Sequence, residues 1–254
     1  MRMKRTLVLL SILILILMAA PASVQAGKGM KVTSSTLKNP VTVDGKWTTV
    51  DEWTDAVDFD CGGYGWIALK DDSDFLYVLV DYTRDTGPGA GDFAWIVWDQ
   101  RNDGGSKPRS DDYDLLMSYE NKTSYDLFFY QGTGTGWGNP KPASSLGVTG
   151  ASSTDATNDP YSNAAHLVYE FRVPRLVLDN STVVTTIGFY TGALNAANNR
   201  WIALPRDADY RKPDTLGQLT FSIPIPEFSQ VLLTMALLIA TLTIVLRRRR
   251  SATR

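Results

Sequence analysis

Cysteine and histidine are nearly missing from this 254-residue chain, which holds one of each, Cys61 and His166. A lone cysteine excludes an intramolecular disulfide and points to a small buried residue. A lone histidine removes the paired-histidine metal sites, and neither a G-x-S-x-G elbow nor a G-x-x-x-x-G-K phosphate loop is present. Catalysis therefore finds no motif to rest on. Glutamate is scarce as well: Glu52, Glu120, Glu170 and Glu227 stand against 23 aspartates. Aspartate bonds to nearby backbone, favours turns and disfavours helices. Long helical patterns are absent, so a helical body is excluded.

What is present begins at the ends. Met1–Arg5 is cationic, Thr6–Ala20 is almost wholly apolar, and Val24-Gln25-Ala26 offers a small-residue cleavage site. This reads as a secretory signal peptide over residues 1–26. Phe228 to Leu246 carries no charge over 19 residues, close to the length of a bilayer-spanning helix. Arg247–Arg250 would hold that end in the cytoplasm by the positive-inside rule, which leaves the body outside the membrane. That body, from Gly27 to Glu227, has 17 Lys plus Arg against 27 Asp plus Glu, a net charge of −10. Nucleic acid needs a basic face and is not an expected partner. Cys61 lies too far from the cleavage site to carry a lipid.

Pro226-Glu227-Phe228 sits directly before the apolar span, and four arginines close it. This arrangement resembles the PEF-CTERM sorting signal of archaeal surface proteins. The resemblance implies that an archaeosortase, a membrane transpeptidase, cuts near the motif and passes the body to a lipid. A permanent single-span anchor is the alternative. Asn121-Lys122-Thr123 and Asn180-Ser181-Thr182 are glycosylation sequons, consistent with surface loops.

Inside the body, short apolar runs alternate with turn residues. Strands are expected at 66–69, 75–82, 93–98, 113–119, 125–130, 167–173, 183–191 and 219–223, with a polar hairpin turn at Asp71–Asp74. The run from Gly132 to Asn163, rich in Gly, Pro and Ser, reads as a long connection. Leu167, Tyr169, Phe171 and Val173 alternate with His166, Glu170 and Arg172, a strand with one wet face. Both faces of 75–80 are apolar, as in a central strand. The expectation is one all-β domain over 27–223, an antiparallel β-sandwich of immunoglobulin-like or jelly-roll-like type, followed by a sorting and transmembrane segment over 224–254.

The order of the pieces resembles the carbohydrate-binding family 9-like sandwich, which is related to DOMON-type domains. The matching features are Asp44-Gly45, Glu52-Trp53 before Ala56, the Asp71–Tyr77 turn and strand, and the Glu170–Pro174 strand end. The resemblance spans Val41 to Phe221. It implies a β-sandwich fold and, with the two ends read as above, an exported, surface-anchored, non-catalytic module that binds carbohydrate. The alternative is a structural envelope protein without a small-molecule ligand. In carbohydrate-binding members a sugar lies between two aromatic rings. Trp137, alone among glycines at 132–138, and Trp201 are the candidates. Trp47, Trp53, Trp66, Trp95 and Trp98 lie in or beside apolar runs, where packing is their default role.

Two aspartate clusters suit Ca²⁺, a hard cation that takes six to eight oxygens. One is Asp71, Asp72 and Asp74; the other is Asp99, Asp103, Asp111 and Asp112, with Asn102 and Asp114 nearby. Solvated turn residues are nevertheless the default reading for both clusters, with a Ca²⁺ site as the alternative. Some DOMON-type domains hold haem between Met and His. Here Met117 and His166 belong to differently directed strand faces, so haem is not expected.

Overall fold

A computed structural model of the chain describes residues 29–119, 125–179 and 186–222. The signal peptide, the two sequons at Asn121 and Asn180, the Pro226-Glu227-Phe228 motif and the C-terminal span lie outside them. Among the described residues no helix is long and apolar enough to cross a membrane.

Fourteen strands form among the described residues: β1 (Lys31–Thr33), β2 (Ser35–Thr36), β3 (Val57–Asp60), β4 (Trp66–Asp71), β5 (Phe75–Tyr82), β6 (Phe93–Asp99) and β7 (Asp112–Tyr119), then β8 (Tyr125–Gln131), β9 (Lys141–Pro142), β10 (Thr149–Asp155), β11 (His166–Pro174), β12 (Thr186–Asn195), β13 (Arg200–Leu204) and β14 (Gly217–Thr220). The first sheet runs β1-β14-β12-β6-β7-β8-β9, with β13 beside the second half of β12. The second runs β10-β11-β5-β4-β2, with β3 also on β4. Alternation decides which side chains meet between the sheets. Ile67, Leu69, Val78, Val80, Tyr169 and Phe171 interlock there with Ile96, Trp98, Leu115, Met117, Ile187 and Phe189 from the other sheet.

Three expectations need correction. The sandwich is not purely antiparallel, because β1 pairs parallel with β14 and β2 pairs parallel with β4. The 132–163 run is not one connection. It contains β9 and β10, and β10 pairs along β11 from Thr149–Arg172 to Asp155–His166. Its small residues conceal the alternation, and a Cβ at Gly150 would lie 2.5 Å from Met117 Cε and 3.1 Å from the Glu170 carbonyl, so a larger residue there would have to displace the methionine tip. Finally, the outer face of β11 is not wet: His166 and Glu170 are fully buried.

What covers that face is the segment 37–56, which lays Trp47 and Trp53 over Ala68, Tyr77, Leu79 and Val168. Glu170 pins it. Its Oε2 accepts the Asp44 and Gly45 amides at 2.9 and 2.8 Å, and its Oε1 accepts Trp53 Nε1 at 3.0 Å. Glu52 accepts the Thr42 and Thr48 amides at 2.6 and 2.7 Å. Lys70, also buried, donates to the carbonyls of Asn39 and Glu52 and, at 2.8 Å, to Asp55. Buried polar groups must find such partners. Gly45 adopts φ 79°, and any Cβ there would meet the Ser152 backbone at 2.5 Å. The Asp-Gly, Glu-Trp and Glu residues that mark the sequence pattern thus form one clamp.

Candidate functional site

The outer face of the first sheet is also apolar, but it is only partly covered. On β6, Ala94, Ile96 and Trp98 face the core, so Phe93 and Trp95 face outward. β7 sends Asp114 and Leu116 the same way, β8 sends Tyr130, and β12 sends Tyr190 and Leu194. Together with Trp137, Trp201 and Tyr210 they line a groove of about 380 Å³. Phe93, Trp95 and Tyr190 make its aromatic floor, with successive ring centroids 5.5 Å apart.

The structure brings the two tryptophans singled out in the sequence to the same groove. Trp137 does not stand free in its glycine loop. An isolated bridge between Gly132 and Trp137 folds the loop back, and the half-buried ring packs against the sheet. Trp201 is 56% exposed, the most exposed aromatic ring among the described residues. Three buried polar atoms here lack a protein partner: Trp95 Nε1, Trp137 Nε1 and Asp114 Oδ1. Burial alone pushes the Asp114 carboxyl up to about 8, so near neutrality it can donate as well as accept. The Tyr130 hydroxyl is raised by burial and then by Asp114 and Tyr210. An apolar cleft with a few convergent polar groups is the usual form of a small-ligand site. The rings suit the C–H face of a pyranose, and the free N–H and carboxyl groups suit its hydroxyls.

Sequence reasoning missed Phe93, Trp95, Asp114, Leu116, Tyr130, Tyr190, Leu194 and Tyr210. A signal existed. β6 is apolar on both faces although only one can meet the other sheet, and on the outward face of β7 Leu116 stands among Asp112, Asp114 and Ser118.

The aspartate clusters fare differently. Asp71, Asp72 and Asp74 are not brought together as ligands. Asp71 is buried, pairs with Arg175 at 2.7 Å and accepts the Ser34 and Ser222 hydroxyls at 2.6 and 2.5 Å. Asp72 instead caps its own turn by accepting the Asp74 and Phe75 amides. Asp99, Asp103 and Asp111 do converge, each offering an oxygen within 4.8 Å of the others. Asp112 stands beside Asp99 in register, and its Oδ1 and Asp111 Oδ2 are buried without a hydrogen-bond partner. Burial, with Asp103 and Asp111 adding, pushes Asp99 up to about 6. Burial, then Asp99 and Asp111, carries Asp112 to about 8. Arg109 sits 2.5 Å from Asp103, and Arg101 is 3.6 Å from Asp111. Asp114, two residues further along the same face, belongs to the groove instead. The all-oxygen donor set of Asp99, Asp103 and Asp111 fits Ca²⁺.

Met117 is buried between the sheets, whereas His166 lies on the covered outer face of β11. The His166 ring is held by Asp81 at 2.5 Å and the Ala164 carbonyl at 2.7 Å. Cys61 is half-buried, and burial followed by Asp60 pushes its thiol up to about 11, away from reactivity.

No protein-family model matches the chain, and no curated protein does. Among solved structures, it is similar to a family 9 carbohydrate-binding module from Caldicellulosiruptor kristjanssonii in complex with glucose, at a TM-score of 0.50 and 14% identity over 76% of this chain and 95% of that one. The same module in complex with cellotriose gives a TM-score of 0.48 and 16% identity over 75% and 93%. The shared feature is the fold: this chain folds like a family 9 carbohydrate-binding module.

Proposed function

We propose that the body is a non-catalytic carbohydrate-binding module displayed on the outside of the cell, and that it grips a sugar between Trp137 and Trp201 in the groove of the first sheet. The observation that carries this reading is the convergence of two tryptophans, distant in sequence, on one aromatic groove whose Trp95, Trp137 and Asp114 polar atoms have no protein partner. The solved neighbours of this fold hold glucose and cellotriose, which supports a glycan as ligand. In this reading Asp99, Asp103, Asp111 and Asp112 hold a Ca²⁺ ion that neutralises their carboxylates and stiffens the rim of the sheet. The signal peptide exports the body. The tail holds it in the membrane until an archaeosortase cuts near Pro226-Glu227-Phe228.

A glycan array with the full chain tests the assignment. Retention on one or more glycans is expected, with Trp137→Ala abolishing it while the chain stays folded. A wild type that retains no glycan, or a Trp137→Ala variant that binds as well, would leave a structural envelope protein in its place.

A further inference from the structure

The groove does not end at Trp201. That ring is also a wall of a second cleft of about 640 Å³, lined further by Phe59, Cys61, Tyr64, Arg200 and Arg206. Tyr64 and Arg200 in turn wall a third hollow of about 490 Å³, where Arg84 joins them. The three are contiguous through shared side chains. The path wraps around β13, which pairs only with β12 and is therefore an edge. Consecutive residues of a strand point to opposite sides, so Trp201 serves the groove while Arg200 serves the far hollow.

The chemistry changes along this path. The groove is aromatic. The second cleft is mixed, with Arg200, Arg206, Asp60 and Asp207 all in its lining but no ion pair among them. The third hollow contains Arg84 and Arg200 and no carboxylate. In a body of net charge −10 an arginine would readily find an acidic neighbour. Neither Arg84 nor Arg200 has an ion-pair partner among the described residues. Both are nevertheless held in place. Arg84 Nε donates to the Gly63 carbonyl at 3.2 Å, and Arg200 donates from one terminal nitrogen to the Tyr64 hydroxyl at 3.1 Å, its guanidinium 5.4 Å from that ring. Both side chains are exposed, and the other donors of each fork have no bond among the described residues. Two anchored guanidiniums with free donors match the planar, bidentate geometry of an acidic oxygen group.

We infer that the ligand is an acidic oligosaccharide: a neutral sugar ring sits in the aromatic groove, the chain passes Trp201, and a uronate or sulfate group lies between Arg84 and Arg200. This inference rests on the groove being the glycan site and adds the charge class of what it takes.

Calorimetric titration of the full chain with oligosaccharides of matched length, one neutral, one uronate-bearing and one sulfated, tests it. An acidic ligand should bind about tenfold or more tighter than the neutral one, the scale of one or two charged hydrogen bonds. Arg84→Gln with Arg200→Gln should erase that advantage and leave neutral-ligand affinity and melting temperature unchanged. Which acidic ligand gains identifies the source of the charge. Equal affinities for all three in the wild type, or an advantage that survives in the double variant, would overturn this inference while the groove assignment stands. Loss of every ligand's binding in Trp137→Ala, with the acidic advantage intact in the wild type, would support both. Binding of none of the three by the wild type would remove both.

Discussion

Trp53 Nε1 donates to Glu170, whereas the same atom of Trp95 and Trp137 has no protein acceptor. That difference separates a ring that holds the fold from rings that can hold something else. Trp53 is 2% exposed, beneath the 37–56 segment. Trp53→Ala should cost about 3–5 kcal/mol in chemical denaturation, because it opens a large cavity and leaves Glu170 short of a donor. Trp137→Ala should lower the denaturation midpoint by clearly less, because that ring is only half-buried against the sheet. If the Trp137 variant unfolds and the Trp53 variant does not, the core and the site have been exchanged.

At the level of elements, a strand forms at each of the eight expected apolar runs, although β14 meets 219–223 only at Leu219 and Thr220, and residues 183–185 and 223 lie outside the described ones. The six others did not show in the sequence, each for a physical reason. β1, β2, β3 and β9 are two to four residues long, too short for a period to register. β10 reads Thr-Gly-Ala-Ser-Ser-Thr-Asp and has no apolar residue to alternate beyond Ala151. β13 follows a turn that places Asn199 at φ 53°, and its Arg-Trp start hides the inward Ile202 and Leu204. Trp137 and Trp201 were legible as unusual residues. The groove floor was not, because outward and inward aromatics look alike until a sheet gives them sides. The loop between β6 and β7 carries its own prediction. If Asp99, Asp103, Asp111 and Asp112 hold Ca²⁺, chelation should lower the melting temperature and added Ca²⁺ should restore it, since a ligand bound only by the folded state stabilises it by mass action. An unchanged melting curve would mean that Arg101 and Arg109 suffice as counter-charges.

For the whole molecule, pH is the sharper probe. Burial first, then neighbouring acids where they exist, raises Glu170, Asp112 and Asp114 to about 8, Asp85 to about 7 and Asp99 to about 6. Burial presses His166 down, but Asp81 and the Ala164 carbonyl lift it above its ordinary value. In every case the folded state keeps protons that the unfolded chain has already released. Stability is therefore fullest near or below the ordinary carboxylate range and is lost as pH rises toward about 8. Melting temperatures taken in chelator should fall steadily from about pH 5 to about pH 8; a rise over that range would contradict the assignment of these buried acids. The tail makes a separate prediction. The mature protein should end near Pro226 and lack Arg247–Arg250, and an intact C-terminal peptide in purified envelopes would leave the plain anchor.

The parallel pairing of β1 with β14 has a mechanical meaning. Lys31–Thr33 and Gln218–Thr220 lie side by side and run the same way, and beyond them Ser222 is clasped by Asp71, itself paired to Arg175. Tension applied to the chain beyond Ser222 and resisted at the amino-terminal end pulls these two strands in opposite directions along their length. Their hydrogen bonds, and those of β14 to β12, are then loaded together in shear and cannot open one at a time like a zipper. In the surface-anchored reading, a pull that enters through the chain beyond Ser222 and is resisted by a ligand in the groove reaches the first sheet through β14 and loads its pairing with β12 in shear.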